Sequence, residues 1–292
     1  MKICHIGTLP LERMGKITKD LVQYSNGENV YHLLGDIPYP QADIYVLNCF
    51  KRRYKEFRDF KRPYPGSKII SLVHSSYPCI PAKESDYVVT QTNYWREKLL
   101  KEKGIDSRVI YSSVEIPKVQ TDLNSKWFGR ITRDDKGKFH PAWNKTARKI
   151  LDSVDDSRML IISRNVKEKL LHPFAFYNED VTNENKFLAL SELSVAVFAH
   201  GSFEEVFPLA VLECMAVGLP IVYLDQPSMH EMIGNNQYPC KNIKELKKTV
   251  VWLLKDKKHR VIPSWLARRR ALDFTIEKTM SAWNALYAEV MS

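Results

Sequence analysis

The chain has 292 residues, 44% hydrophobic and 27% charged, enough for one large or two medium domains with a sizeable core. No apolar run reaches the roughly 18 residues that a membrane-spanning helix needs, and the opening Met-Lys-Ile-Cys-His-Ile-Gly reads as a strand rather than a basic-then-apolar export signal, so a cytoplasmic protein is expected. The formal charge of +10 favours anionic partners such as nucleic acid, acidic lipid head groups or phosphorylated substrates.

Through the first hundred residues, short runs rich in Val, Ile and Tyr alternate with polar stretches of helical character. "KICHI" (2–6), "NVYHLL" (29–34), "DIYVLN" (43–48), "KIISLVH" (68–74), "DYVVTQ" (86–91) and "RVIYS" (108–112) predict strands. "KITKDLVQY" (16–24) and "YWREKLLKEKG" (94–104) predict helices, the second closed by Gly104. That rhythm predicts an α/β fold with a parallel sheet covered by helices on both faces. One segment, 50–65, carries about half of the net charge: Lys51, Arg52, Arg53, Lys55, Arg58, Lys61 and Arg62 outweigh Glu56 and Asp59. Its aromatics Phe50, Tyr54, Phe57, Phe60 and Tyr64 recur at helical spacing and predict an amphipathic helix, rings in the core and cations displayed on one face.

The rhythm pauses at 112–125, aperiodic and holding a proline, and we place a linker at 117–125 between a first domain, 1–116, and a second, 126–264. In the second, strands are expected near "KWFGRI" (126–131), "MLIIS" (159–163), "PFAFY" (173–177), "SVAVFA" (194–199), "PIVYL" (220–224) and "NQYP" (236–239). Helices are expected at 145–154, 183–193 and 243–256. The closing stretch, 265–292, keeps an apolar stripe through Phe274, Met280, Trp283, Leu286 and Tyr287 and predicts a helix packed back on the first domain. Two Rossmann-like domains in tandem are the simplest account.

Five scattered cysteines, Cys4, Cys49, Cys79, Cys214 and Cys240, form no C-x-x-C pair and read as reduced thiols; the eight histidines show no H-E-x-x-H spacing. No protein-held metal and no cofactor are expected. Asp134, Asp135, Asp155 and Asp156 are adjacent loop acids and read as solvated.

The segment between "SVAVFA" and "PIVYL" must be a loop followed by a crossing helix, and the carboxyl end of a parallel strand with a helix N-terminus beyond it is where such sheets hold anions. Glu205 falls in that loop and Glu213 about two turns into the helix. Alone, two such glutamates read better as a helix cap, Glu205, and a solvent-facing side chain, Glu213. In context, "EEVFPLAVLECMAVGLPIVYLDQPSMHEMI" resembles the signature of family 4 glycosyltransferases, with Glu205, Phe207, Pro208, Leu209, Glu213, Gly218, Pro220 and Glu231 at matching places. Upstream, "FGRITRDDKGK" is similar to the family's Gly-Arg-(x)5-Lys-Gly element through Arg130 and Lys136, and "SLVHSSYP" to its strand-His through His74. Ser112 and Ser113 replace a usual Asn-Gly, Val206 replaces a small residue, and "GTLPLERMGKIT" offers Gly15 and Lys16 without the usual double glycine.

The resemblance implies a GT-B architecture, two Rossmann-like domains facing a central cleft with the C-terminal helix returning to the first. It implies a retaining, metal-independent hexosyl- or pentosyltransferase whose donor is a nucleotide-diphosphate sugar. Catalytic roles would fall to Arg130, Lys136, Glu205 and His74. The donor would be bound by Gly15, Arg130, Lys136, Val206, Phe207, Pro208, Leu209 and Glu213, with Glu205 on the sugar hydroxyls, Glu213 on the ribose, and His200 and His230 lining the site. The acceptor would be anionic: an envelope glycan or lipid-linked saccharide reached by peripheral membrane contact, or hydroxymethylated bases of phage-type DNA, with a flipped base entering the cleft. A non-catalytic polyanion-binding protein on the same fold is the reading from a different class.

Overall fold

The structure is a computed structural model, and it describes residues 1–10, 16–49, 53–73, 81–132, 138–163, 170, 172–179, 182, 185–201 and 206–292. The chain divides into two units: unit 1 comprises Met1–Ser113 and Phe274–Ser292 together with Val206 and Phe207, and unit 2 comprises Val114–Glu204 and Pro208–Asp273.

Unit 1 is built on β1 (Lys2–Gly7), α1 (Lys16–Tyr24), β2 (Glu28–Leu33), β3 (Ile44–Cys49), α2 (Tyr54–Arg58), β4 (Lys68–Val73), β5 (Tyr87–Thr90), α3 (Asn93–Lys103) and β6 (Arg108–Val109). Its six strands run parallel in the order β2-β1-β3-β4-β5-β6. Strands in such a sheet are buried on both faces, which is why they read as near-continuous apolar runs. The period of two sorts β3 cleanly: Ile44 and Val46 join one core cluster, Tyr45 and Leu47 the other. α3 starts where Thr92 accepts a hydrogen bond from the Trp95 amide and stops at Gly104, whose φ of 67° a glycine adopts without strain.

The first of those clusters is completed from the far end of the chain. α10 (Ile276–Met291) lays Met280, Trp283, Leu286, Tyr287 and Val290 against Ile3, Val46, Ile70 and Leu72. Thr275 caps it, Arg108 pairs with Glu289 at 2.5 Å, and Asn284 accepts from the Asn26 amide. The closing stretch is therefore two helices rather than one: α9 (Lys258–Ala271) stays with unit 2, and a 3-10 turn at Leu272–Phe274 separates it from α10.

The segment 50–65 departs from its expected form. Among the described residues the helix covers only Tyr54–Arg58, with Asp59 at its C-cap, and farther on Pro63 and the Pro65-Gly66 pair bar a helix. Phe57 and Phe60 are buried as expected, while Phe50 and the ring of Tyr54 fall outside the description. Four of the seven cations are paired rather than displayed, while Lys51 and Arg52 lie outside the described residues: Arg53 pairs with Glu56, Arg58 with Asp59 at 2.9 Å, Lys61 with Glu84 at 2.9 Å, and Arg62 with Asp86 at 3.1 Å. Two of those four acids, Glu84 and Asp86, lie more than twenty residues away and were not visible as partners from the local sequence.

Unit 2 repeats the parallel plan with β7 (Trp127–Ile131), α4 (Trp143–Leu151), β8 (Arg158–Ile162), β9 (Ala175–Asn178), α5 (Lys186–Ser191), β10 (Val195–Phe198), α6 (Leu209–Ala216), β11 (Ile221–Leu224), α7 (Pro227–Ile233), β12 (Tyr238–Cys240) and α8 (Ile243–Lys255). The strand order is β12-β11-β10-β7-β8-β9. Arginines fasten the irregular lead-in to this sheet. Arg268 donates to the carbonyls of Pro117 and Ala216, and Arg260, itself buried, to those of Leu123 and Ser125. Carbonyls of an aperiodic stretch and of a helix end need such donors once water is excluded. Cys4, Cys214 and Cys240 are buried free thiols, and burial pushes Cys4 up to about 12 and Cys240 to about 11.

Since α10 supplies a whole face of the unit 1 core, Trp283→Ala is expected to lower stability by about 3–5 kcal/mol. Denaturant unfolding followed by tryptophan emission and circular dichroism measures it; a loss under about 1 kcal/mol would show that α10 is not integral to that core.

Candidate active site

Unit 2 contains one reversal of strand order, between β7 and β10, and parallel sheets open a crevice outside the carboxyl ends of the strands at such a point. The residue before Arg130 is Gly129, where an added Cβ would lie 1.7 Å from the carbonyl oxygen of Leu160 on β8. Only glycine allows β7 and β8 to approach so closely, and the next residue is thereby set at the strand's carboxyl end.

Arg130 is buried. Its guanidinium donates to the Lys138 carbonyl and to Thr132 Oγ1, each at 3.2 Å, and lies over the rings of Phe139 and Phe198 at 5.0 and 4.8 Å. The positive charge thus sits against two electron-rich faces, an arrangement that strengthens as water is excluded. On the β10 side, the His140 amide donates to the Ala199 carbonyl at 2.8 Å, tying the chain beyond β7 to the chain beyond β10. His200 follows, buried, its ring stacked on Phe198 and its Nε2 2.9 Å from Met229 Sδ. Burial, then the charges of Arg130 and Lys138, hold this imidazole well below its ordinary range, so it is neutral near pH 7.

α6 begins at Leu209, with Pro208 extended before it and accepting from the Val211 amide at 2.9 Å. A helix leaves the first N–H groups without partners in its own ladder, and they form its positive end. The helix closes on Gly218 at φ 84°, with Ser264 Oγ 3.2 Å from where a Cβ would stand. Glu213, in the second turn, neither caps nor faces open solvent. Its Oε1 takes a 2.6 Å bond from Lys186 Nζ at the start of α5, and both side chains are 13% exposed.

Of the residues singled out in the sequence, unit 2 brings Arg130, Pro208, Leu209, Glu213 and His200 onto the elements flanking the reversal. His230 stands on α7, half-exposed, bonded to Tyr223 and Asn235. Val206 and Phe207 group with unit 1, where Phe207 packs on Tyr111 and Phe274. Gly15, His74, Lys136 and Glu205 lie outside the described residues, as do Asp134 and Asp135; Asp155 and Asp156 are exposed, as solvated acids are. Beside Gly15, Lys16 bonds to the Asp20 carboxylate and to Ser113 Oγ, which in turn donates to Asp20 at 2.5 Å. Ser113, at a position where the sequence departed from its pattern, thereby closes a polar network within unit 1. Lys186, Lys138, Phe139 and Phe198 were missed by sequence reasoning: their role is to hold Glu213 and Arg130, and only the fold shows it. Among the described residues no three metal-ligating side chains gather, and no helix is long and apolar enough to cross a membrane.

Residues 174–270 match the family model "Glycosyl transferases group 1". No curated protein sequence matches the chain. Among solved structures, a TarM variant from S. aureus in complex with fondaparinux, α-GlcNAc-glycerol and UDP is 16% identical with a TM-score of 0.68, over 84% of this chain and 55% of that one. The chain therefore spans about half the length of TarM. HepE from Anabaena with UDP-glucose is 12% identical with a TM-score of 0.75, over 99% and 100%, and sucrose-phosphate synthase from Thermosynechococcus elongatus is 11% identical with a TM-score of 0.74, over 99% and 98%. At these identities the likeness is one of fold, and the fold is GT-B: two parallel-sheet, Rossmann-like α/β domains.

The neutral state of His200 is open to measurement. Its imidazole proton signals are expected not to titrate through the ordinary range near pH 6.5. The depressed value means that the unfolded chain binds the proton more readily; stability from the neutral ring is complete above about pH 6.5 and is lost as pH falls below it. Arg130→Met should raise the His200 pKa, and a wild-type titration near 6.5 would contradict the buried geometry.

Proposed function

We propose that this protein is a glycosyltransferase that moves a sugar from a nucleotide-diphosphate sugar to a hydroxyl acceptor. The observation that carries the proposal is the pairing, at the β7/β10 reversal, of a guanidinium with the positive end of α6. A diphosphate set there meets positive charge from both strands of the crevice. The glycosyltransferase model over 174–270 and the UDP or UDP-glucose bound by TarM and HepE support the same donor class.

The costly event in such a transfer is departure of the diphosphate from an oxocarbenium-like sugar. Arg130, Lys136 and the amides of Phe207 and Leu209 would meet the charge that develops, with side-chain cations in the part a metal ion plays elsewhere. Two of Arg130's hydrogen bonds go to the Lys138 carbonyl and Thr132 Oγ1 and fix the orientation of the guanidinium. Glu213, oriented by Lys186, would accept from the ribose hydroxyls; on the family resemblance alone, Glu205 would grade the sugar, Gly15 and Val206 would belong to the donor-binding set, and His74 would take a catalytic role. In a front-face reaction the departing phosphate takes the acceptor proton, and the anomeric configuration is retained. For the acceptor we favour an envelope glycan or lipid-linked saccharide, touched through peripheral membrane contact. The α-GlcNAc-glycerol bound by TarM and the GlcNAc bound by the pneumococcal O-GlcNAc transferase GtfA support a saccharide-handling class. The reading of DNA as acceptor drew on the cations of 50–65, four of which are paired with acids.

Incubation with a panel of nucleotide sugars, with hydrolysis and transfer followed by mass spectrometry, tests the donor class; no turnover with any common donor would favour a non-catalytic binder. With the productive donor, Arg130→Met is expected to lower kcat by about 10²-fold or more, and Glu213→Gln to raise KM for the donor with a smaller change in kcat. Proton NMR of the first product should show the donor's anomeric configuration, and inversion would overturn the front-face mechanism.

A further inference from the structure

The region of the chain richest in cations is one that the donor chemistry does not use. Residues 241–270 hold eleven Lys and Arg against two acids, Glu245 and Asp256, while the whole chain sums to +10. Both acids are engaged by backbone: Glu245 accepts from the Lys241 amide and Asp256 from the Lys258 amide. Arg260, Arg268 and Arg270 turn inward onto carbonyls. Five of the remaining eight stand out in two stripes. Along α8, Lys244, Lys248, Trp252 and Lys255 recur at helical spacing and are exposed. Along α9, Lys258, Val261, Ile262, Trp265 and Arg269 do the same. The stripes meet where His259 stacks on Trp252 at 3.9 Å. Among the described residues none of these five cations stands in an ion pair, in contrast with the arginines of 53–62.

Amid these cations lie four of the large apolar side chains that unit 2 leaves to water: Ile262 is 67% exposed, Trp265 65%, Val261 47% and Trp252 45%. A soluble surface has no reason to gather two indoles and two aliphatic side chains on adjacent turns. Phosphate contacts alone, as on duplex DNA, would use the cations and leave Val261 and Ile262 without a partner. An interface that is anionic outside and apolar just beneath uses both. Indoles settle at head-group depth, aliphatic side chains below them, and lysines and arginines at the charged surface.

We propose that the α8–α9 face is a docking surface for an anionic phospholipid membrane. Ile262 and Trp265 enter the boundary between head groups and acyl chains, and Lys244, Lys248, Lys255, Lys258 and Arg269 meet lipid phosphates. The inference deepens the reading of the acceptor as an envelope or lipid-linked saccharide and rests on it for its purpose, because docking would bring a soluble transferase to an acceptor held at the membrane. It replaces the segment 50–65 with a different surface.

The full chain would be sedimented with phosphatidylcholine vesicles with and without about one third phosphatidylglycerol. Binding is expected only with the anionic lipid, weakening with salt, and with a blue shift of tryptophan emission. The paired variant Ile262→Ser and Trp265→Ser, exposed positions whose change leaves folding intact by circular dichroism, should bind at least about tenfold less and lose most of the shift. Lys258→Glu with Arg269→Glu should do the same. Unchanged vesicle binding by the paired apolar variant would overturn the proposal. So would salt-sensitive binding to duplex DNA in place of vesicles, or a concentration-dependent dimer that the variant abolishes, which would make a second copy the occupant. Donor hydrolysis in solution should be equal for variant and wild type. Loss of hydrolysis in both would sink the transferase reading while leaving the docking result to stand by itself.

Discussion

A positive charge taken out of water is the constraint around which unit 2 is arranged. Burying an ion costs several kcal/mol unless neighbours meet it. Around Arg130 the neighbours come from three places: a carbonyl and a hydroxyl from the chain beyond β7, the Phe139 ring, and the Phe198 ring at the end of β10. Each is fixed by something else. Gly129 lets β7 lie close to β8, the His140 amide on the Ala199 carbonyl joins the two crevice walls, and His200 stacks behind Phe198. Burial, and then the charge of Arg130, keeps His200 neutral, so the imidazole supplies shape and no competing cation.

Much of this architecture was legible. Runs such as "DIYVLN" and "SVAVFA" are apolar throughout because both faces of a parallel strand are covered, and they fall where β3 and β10 stand. Gly104 and Gly218 mark helix ends because a left-handed backbone there excludes most other residues. Strand order was not legible. The two sheets follow different permutations, one reversing between β1 and β3 and the other between β7 and β10, and short loops of similar composition permit either. The partner of Glu213 was hidden for the same reason: Lys186 is twenty-seven residues away, and nothing in its local pattern distinguishes it from a solvated lysine.

The end of the chain illustrates how one stretch can be read correctly in kind and wrongly in extent. The apolar stripe from Met280 to Val290 belongs to α10 and finishes the unit 1 core. The preceding Trp265 shares the helical periodicity but not the burial, and Leu272–Phe274 with the Thr275 cap breaks the run between them. Periodicity reports that a face exists; it does not report which body covers that face, or whether any does.

Net charge has the same limitation. Segment 50–65 and segment 241–270 are both strongly basic in sequence, yet the first is met by Glu56, Asp59, Glu84 and Asp86, and the second keeps its lysines unpaired around exposed indoles. A cation bonded to a carboxylate at 2.9–3.1 Å contributes little to long-range attraction, because the pair is felt as a dipole beyond about one Debye length, near 10 Å. Unpaired lysines on a rigid helix pair add their fields. The partner of a basic protein is therefore chosen by where acids return in the fold, and here they pair cations of one basic segment and, among the described residues, leave the lysines of the other without an ion pair.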